Sequence, residues 1–100
     1  MKLIYITSKN EEAEIIAEEL LKEKLIACAN IFPAKSKFWW NEKIENSNES
    51  IIIAKTRDFH VEDIIDKVKE LSSYECPCIM AIDIKKGNQE FFDWIENETS

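Results

Sequence analysis

Near the start of the chain, a short apolar run is followed by apolar residues at the spacing of a helix. Lys2 to Thr7 is a run of apolar and β-branched residues, which is typical of a strand. Ser8-Lys9-Asn10-Glu11 then has the form of a capping box, in which the serine and the glutamate each bond to a free backbone N–H. We predict a strand over Lys2–Thr7 and a helix that Ser8 caps and that Lys24 and Leu25 close. The apolar face of this helix is formed by residues at helical spacing: Ala13, Ile16, Ala17, Leu20 and Leu21.

A second β-like run extends from Ala27 to Trp40, which is about twice the usual strand length. Pro33 lies inside this run and cannot donate to a central ladder, so we expect an interruption there. Asn41 to Ser50 is polar and predicts a hairpin connection. Ile51 to Thr56 predicts a third strand.

The second half of the chain repeats the helix-then-strand order. Asp58 is placed to cap the second helix, and Ile79 to Ile84 predicts a fourth strand. Gly87-Asn88 predicts a turn and cap before a short C-terminal helix that carries Phe91, Trp94 and Ile95. The apolar face of the second helix consists of Val61, Ile64, Ile65, Val68 and Leu71.

The predicted order of elements is β-α-β-β-α-β-α. Two split βαβ units with right-handed crossovers give one antiparallel sheet with both main helices on one face. We therefore predict an α+β fold, a ferredoxin-like βαββαβ sandwich with an extra C-terminal helix, as a single domain over residues 1–100. A strand as long as Ala27–Trp40 overhangs such a sheet and offers its far end to another chain. The expected result is a closed symmetric oligomer.

Charge and composition narrow the class of protein. The net charge of −7 argues against a nucleic-acid partner, because phosphate neutralisation needs a basic surface. The first apolar run, Leu3–Ile6, is too short for a signal peptide or a membrane span. Three cysteines do not form a secreted disulfide framework and suit a reducing compartment. We expect no nucleic-acid partner, no membrane association and a cytoplasmic location.

Residues with candidate chemistry are few. Cys28 lies in an apolar run and is expected to be a buried small hydrophobe. Cys76-Pro77-Cys78 is a C-x-C pair whose thiolates could help bind a soft metal, although a tetrahedral site would need a second pair of ligands. His60 is the only histidine, and a solvated position at a polar helix start is favoured over catalysis. No nucleophile has an evident base partner, so no catalytic residue is predicted.

Trp39 and Trp40 are adjacent, and neighbouring strand residues point to opposite faces of a sheet. A large aromatic side chain on the outer face indicates a partner surface or a ligand pocket. Core and interface anchoring are more common roles for tryptophan than ligand stacking. We predict that one of the two packs under its own helices and the other on a neighbouring chain.

Several short motifs together resemble the CutA divalent-cation-tolerance family. The resemblance implies a PII-like homotrimer in which the long strands pair between subunits. It also implies an association with copper tolerance and, in some relatives, copper binding, whereas no catalytic mechanism transfers with the fold. The motifs occur in family order over essentially the whole chain: Lys24–Ile31 (KLIACANI), Phe38–Glu45 (FWWNEKIE), Ala54–Thr56 (AKT), Tyr74–Pro77 (YECP) and Phe92–Ile95 (FDWI).

The chain departs from the family pattern at the positions that bear on copper. Ser72 and Ser73 stand where many relatives have histidine and proline, and Cys78 stands where a glutamate is common. Some bacterial members also carry a cysteine at the end of the first strand, near Ile6 here. Copper binding in this chain would therefore have to use other groups, of which Cys76 and Cys78 are the obvious substitutes. A preference for Cu(I) would follow because thiolates are soft ligands.

The strongest candidate for a polar site consists of Lys55-Thr56 and Tyr74-Glu75. In the fold that the resemblance implies, these two pairs approach the cleft between subunits. The main alternative is that these groups form an inter-subunit hydrogen-bond and salt-bridge set that only stabilises the trimer. The predicted cleft residues are Cys28, Trp39, Trp40, Lys55, Thr56, Tyr74 and Glu75.

Three hypotheses for function follow. The first is a homotrimeric, non-enzymatic binding or signalling protein of the CutA type that requires no cofactor. The second is a Cu(I)-binding protein that uses Cys76 and Cys78. The third is a small enzyme in the inter-subunit cleft with Lys55, Tyr74 and Glu75.

Overall fold

The structure is a computed structural model that describes residues 1–99. One four-stranded sheet has the order β2-β3-β1-β4, and each neighbouring pair is antiparallel. This arrangement confirms the predicted α+β ferredoxin-like sandwich with an extra C-terminal helix. The elements in chain order are β1 (Lys2–Ser8), α1 (Asn10–Lys22), β2 (Cys28–Trp40), β3 (Lys43–Thr56), a 3₁₀ turn (Asp58–His60), α2 (Val61–Leu71), β4 (Ile79–Asp83) and α3 (Gln89–Glu98).

The core forms on one face of the sheet because side chains alternate along β1 and β3. Ile4 pairs with Ala54 and Ile6 with Ile52, and all four are at most 1% exposed. The other face of these strands carries partly exposed residues, so the sheet is covered on one side in the single chain. Helices α1 and α2 cover the buried face with Ile16, Leu20, Ile64 and Val68.

The hairpin between β2 and β3 is much tighter than the sequence predicts. β3 begins at Lys43 rather than Ile51, so the predicted loop is strand, and only Asn41 and Glu42 connect the two strands. Both turn residues have positive φ, 50° and 63°, as a two-residue type I′ hairpin requires. Pro33 does not interrupt β2 but pairs with Ser50, which is possible because β2 is an edge strand.

The predicted cap of α1 is also wrong. Helix α1 begins at Asn10, Lys9 occupies the N-cap position, and no side chain caps it. Ser8 is fully buried at the end of β1, and its hydroxyl donates to the Lys9 carbonyl at 3.1 Å. The strand therefore continues one residue further and removes the serine from the cap. The helix ends at Lys22, and Lys24 has a φ of 61° in the left-handed region.

The start of α2 differs from the prediction in two ways. Asp58 does not cap α2 but opens the 3₁₀ turn, where its carboxylate lies 3.3 Å from Lys2 Nζ. His60 is not a solvated surface residue, since it is only 9% exposed. Its Nε2 lies 2.5 Å from the Thr99 carbonyl oxygen, to which Arg57 also donates at 2.8 Å. Thr99, which follows α3, covers this histidine, and sequence spacing alone does not reveal such a contact.

Replacing Ile52 with alanine tests the buried face. Ile52 is fully buried between β1 and the helices, so Ile52→Ala is expected to lower the free energy of unfolding by about 2–5 kcal/mol. Ile15 on α1 is 57% exposed, and the matched Ile15→Ala change is expected to stay within about 0.5 kcal/mol of the parent. Denaturant unfolding at one fixed protein concentration measures both. Equal losses for the two variants would contradict the assigned core.

Candidate functional site

An open cavity of about 690 Å³ lies beside the long hairpin. One wall is the β2–β3 hairpin, and the other is the loop 72–78 between α2 and β4. Hydrogen bonds to its backbone hold this loop at both ends. Ser73 N–H donates to the Glu12 carboxylate at 3.2 Å, and Thr7 N–H donates to the Cys78 carbonyl at 3.3 Å. Hydrogen bonds from Ser73, from its side chain first and from its N–H second, lower the pKa of Glu12 below its usual value.

Strand alternation places the cavity on the sheet face opposite the helices. Thr7 pairs with Ile51, two residues from Glu49 along β3, so Thr7 and Glu49 share that face. Phe38 and Trp40 stand at matching positions on β2, opposite Glu45 and Lys43. The cavity wall therefore combines aromatic rings with carboxylates.

Tyr74 and Glu49 form a partly buried polar contact in the cavity. The Tyr74 hydroxyl donates to Glu49 Oε2 at 2.6 Å, and Glu49 is only 8% exposed. Burial, followed by the hydrogen bond and the charge of Glu49, raises the pKa of the Tyr74 phenol well above its usual 10.0. The tyrosine therefore stays protonated and acts as a hydrogen-bond donor.

Cys76 and Cys78 both line the cavity, and both are free thiols. Cys76 is exposed, whereas Cys78 is half-buried. Burial raises the pKa of the Cys78 thiol, and contacts with Thr7 only partly offset that effect. Within residues 1–99, no cluster of three or more His, Cys, Asp or Glu side chains is arranged to hold a metal ion.

The two tryptophans are separated as alternation requires, but neither packs under its own helices. Trp40 is 41% exposed and lines the cavity. Trp39 is 72% exposed on the opposite face of the hairpin, directly across from Ile44. The helices do not reach this part of the hairpin, so the prediction that one tryptophan packs beneath them is wrong.

Three predicted cleft residues lie at the other end of β3. Cys28 is half-buried opposite Lys55, and Lys55 donates to the Asn30 side chain. Thr56 is buried and donates to the Leu25 carbonyl at 2.5 Å. Lys55 lies six positions along β3 from Glu49, which is about 20 Å of strand. A single chain brings together Trp40, Tyr74, Glu75, Cys76 and Cys78, but not Cys28, Trp39, Lys55 or Thr56.

Sequence reasoning missed Glu49, Phe38 and Thr7 as cavity residues. Phe38 could have been found, because it stands two residues before Trp40 on one strand and therefore shares its face. Glu49 could not, because it belongs to the polar segment that the pattern assigns to a loop. Its placement depends on the pairing of β3 with β2.

The fold and the cavity define a small α+β protein with a ferredoxin-like sheet and a long projecting hairpin, an architecture of PII-like proteins. Residues 2–98 match the model of the CutA1 divalent ion tolerance protein family. The chain therefore belongs to the CutA1 family, as its motifs predict.

The relatives share both sequence and structure with this chain. Divalent-cation tolerance protein CutA from Archaeoglobus fulgidus is 53% identical over 94 residues, which cover 93% of this chain and 92% of that protein. The solved structure of CutA from the same organism superposes with a TM-score of 0.97 at 50% identity over 100% of both chains. The PII-like protein CutA from Nostoc sp. PCC 7120 superposes with a TM-score of 0.95 at 26% identity, covering 100% of this chain and 98% of that one.

The prediction of a cytoplasmic location is wrong, because the relatives point to other compartments. The Archaeoglobus fulgidus structure is described as a periplasmic protein. Protein CutA 1 from Oryza sativa subsp. japonica, 35% identical over 97% of this chain and 56% of its own length, is described as chloroplastic. Cysteine number and the apolar run that were used for the prediction do not determine a compartment. Among residues 1–99, no helix is long and apolar enough to cross a membrane.

Alkaline unfolding tests the Tyr74–Glu49 contact. Because the pKa of Tyr74 is raised in the folded state, the unfolded chain loses this proton at lower pH than the folded chain does. The stability that this group contributes is present below about pH 10 and is lost as the pH rises further. Tyr74→Phe is therefore expected to show a shallower loss of unfolding free energy above that pH, as measured by denaturant titration.

Tyr5→Phe is the matched control, since it leaves the Tyr74–Glu49 contact intact and should keep the steeper alkaline loss of the parent. At neutral pH, Tyr74→Phe is expected to cost about 1–3 kcal/mol because it leaves a buried carboxylate without its donor. Identical alkaline slopes for the parent and Tyr74→Phe would contradict the assigned contact.

Proposed function

We propose that this chain is a homotrimeric, non-enzymatic binding or signalling protein that takes part in tolerance of divalent metal ions. The observation that carries the proposal is the part of the hairpin beyond β1, residues 34–49, here called the projecting ribbon. The pairing of β1 with β3 ends at Ser8 and Ser50, so β3 residues 43–49 pair only with β2. The molecule is accordingly 45 Å long but only 26 by 21 Å across.

The projecting ribbon exposes large apolar side chains to solvent. Trp39 and Ile44 face each other across the two strands and are 72% and 61% exposed. A two-stranded ribbon is marginally stable by itself, and an exposed aromatic patch marks an interaction surface. Another chain that covers this pair would remove the apolar area from water and stabilise the ribbon.

The open face of the sheet supplies a surface for a second copy to cover. Met80 and Ile82 of β4 are 53% and 50% exposed, and Phe32 of β2 is 43% exposed. If each copy places its ribbon on the next, three copies related by rotation close a ring in which every interface is identical. Among closed rings, the trimer is the one that the resemblance to the CutA family implies.

Several observations favour a binding role over catalysis. His60 is engaged with the Thr99 carbonyl, and Tyr74 holds its proton against Glu49. Lys55 donates to Asn30 and lies about 20 Å along β3 from Glu49, the partner of Tyr74. An enzyme with Lys55, Tyr74 and Glu75 would therefore need the lysine of another copy. The names of the relatives also describe tolerance of divalent cations rather than a reaction.

A charge on the projecting ribbon tests the trimer. Ile44→Lys is expected to shift the protein towards monomer, because a buried ammonium would need to lose its water. Ile15→Lys is the matched control, with 57% exposure on α1 against 61% for Ile44, and should leave the mass unchanged. Sedimentation equilibrium or light scattering gives the mass of each. A monomeric parent, or a trimer that survives Ile44→Lys, would contradict the proposal.

A second candidate function is Cu(I) binding through Cys76 and Cys78. The observation that favours it is that both thiols line one cavity. Two soft sulfur ligands suit Cu(I) better than harder divalent ions. The sulfurs would hold the ion, and thiolate formation would release protons.

Cu(I) titration in a competing chelator tests this candidate. The double variant Cys76→Ser/Cys78→Ser is expected to lose at least tenfold in affinity relative to the reduced parent. Cys28→Ser should bind like the parent, because Cys28 lies at the other end of β3. Equal affinities for the parent and the double variant would exclude this site.

A further inference from the structure

We propose that Cys76-Pro77-Cys78 is a reversible thiol–disulfide site that exchanges with small-molecule disulfides. Closure of the bond would reshape the loop that walls the cavity. The inference concerns the covalent chemistry of this loop and holds whether or not the chain forms a trimer or binds copper.

Chain geometry keeps the two cysteines within bonding range. Two residues of extended backbone span at most about 7 Å, and disulfides form at Cα separations of about 4.4–6.8 Å. Residues two apart in an extended segment also point to the same side, and both cysteines line the same cavity.

The two thiols differ in a way that suits sequential exchange. Cys76 is exposed and can be reached by a dissolved disulfide. Cys78 is half-buried, and its backbone is bonded to Thr7, which shields this thiol from direct attack. An exposed attacking thiol with a shielded partner is the arrangement that resolves a mixed disulfide internally.

The reaction balances as a two-step exchange. The Cys76 thiolate attacks one sulfur of glutathione disulfide, forms a Cys76–glutathione mixed disulfide and releases one glutathione thiolate. The Cys78 thiolate then attacks the Cys76 sulfur, forms the Cys76–Cys78 bond and releases the second glutathione. Two protein thiols are oxidised and one external disulfide is reduced to two thiols, which take up the two protons.

The resulting bond would be labile rather than structural. The stabilisation that a disulfide gives a fold grows with the length of the loop it closes, and this loop is as short as a C-x-C pair allows. Exposed or strained disulfides are the ones that are readily reduced. The same loop carries Tyr74, so closing the bond would act on the residue that donates to Glu49.

The test equilibrates the intact protein in buffers with a graded ratio of reduced to oxidised glutathione. Free thiols are then trapped with iodoacetamide under denaturing conditions, and tryptic peptides are weighed. Residues 70–85 carry both Cys76 and Cys78, whereas Cys28 lies in a separate peptide, residues 25–35. We expect the first peptide to lose two hydrogens in a single reversible transition while Cys28 remains alkylated.

Two variants separate an internal disulfide from simple surface oxidation. Cys78→Ser should stop at the first step and accumulate one glutathione on Cys76. Cys28→Ser is the matched control and should give the transition of the parent. The proposal is overturned if residues 70–85 stay fully alkylated at every ratio. It is equally overturned if the parent accumulates glutathione on both cysteines, or if the bond joins two chains on a non-reducing gel.

Discussion

The pairing of β3 with its two neighbours is the constraint on which the rest of the structure depends. From Ser50 to Lys55 the strand lies between β1 and β2, and there its alternate side chains build the core beneath α1 and α2. From Lys43 to Glu49 it pairs with β2 alone and leaves the sheet. A single continuous strand therefore determines both the buried face and the part of the molecule that lies outside it.

The cavity and the proposed interface share this strand pair. Phe38 and Trp40 face the cavity, while Trp39 and Ile44 face the other side of the same ribbon. A partner bound to one side of the ribbon would therefore fix the position of the residues on the other. If the chain assembles through this ribbon as proposed, the interface and the cavity lie on opposite faces of the same two strands, and the fold by itself specifies no ligand.

The sequence predicted those features that arise from local periodicity. The bounds of α2 agree with its apolar spacing, and the order of strands and helices was sufficient for the ferredoxin-like topology. The motifs also identified the family. Prediction failed for residues 43–50, because Ile44 is the only apolar residue among them and no alternation of apolar and polar residues reveals a strand. It failed for His60 because the covering group, Thr99, lies 39 residues away.

The residues of the candidate site were also predicted only where local sequence determines their positions. Sequence alone determined that Tyr74, Glu75, Cys76 and Cys78 are neighbours, since they lie in one short loop, and that Trp39 and Trp40 point in opposite directions. Only the tertiary structure decided which tryptophan meets that loop, that Glu49 receives the Tyr74 hydroxyl, and that Lys55 lies far from both. The physical reason is register: contacts along a strand follow from its alternation, whereas contacts between distant segments depend on how strands and loops pair in space.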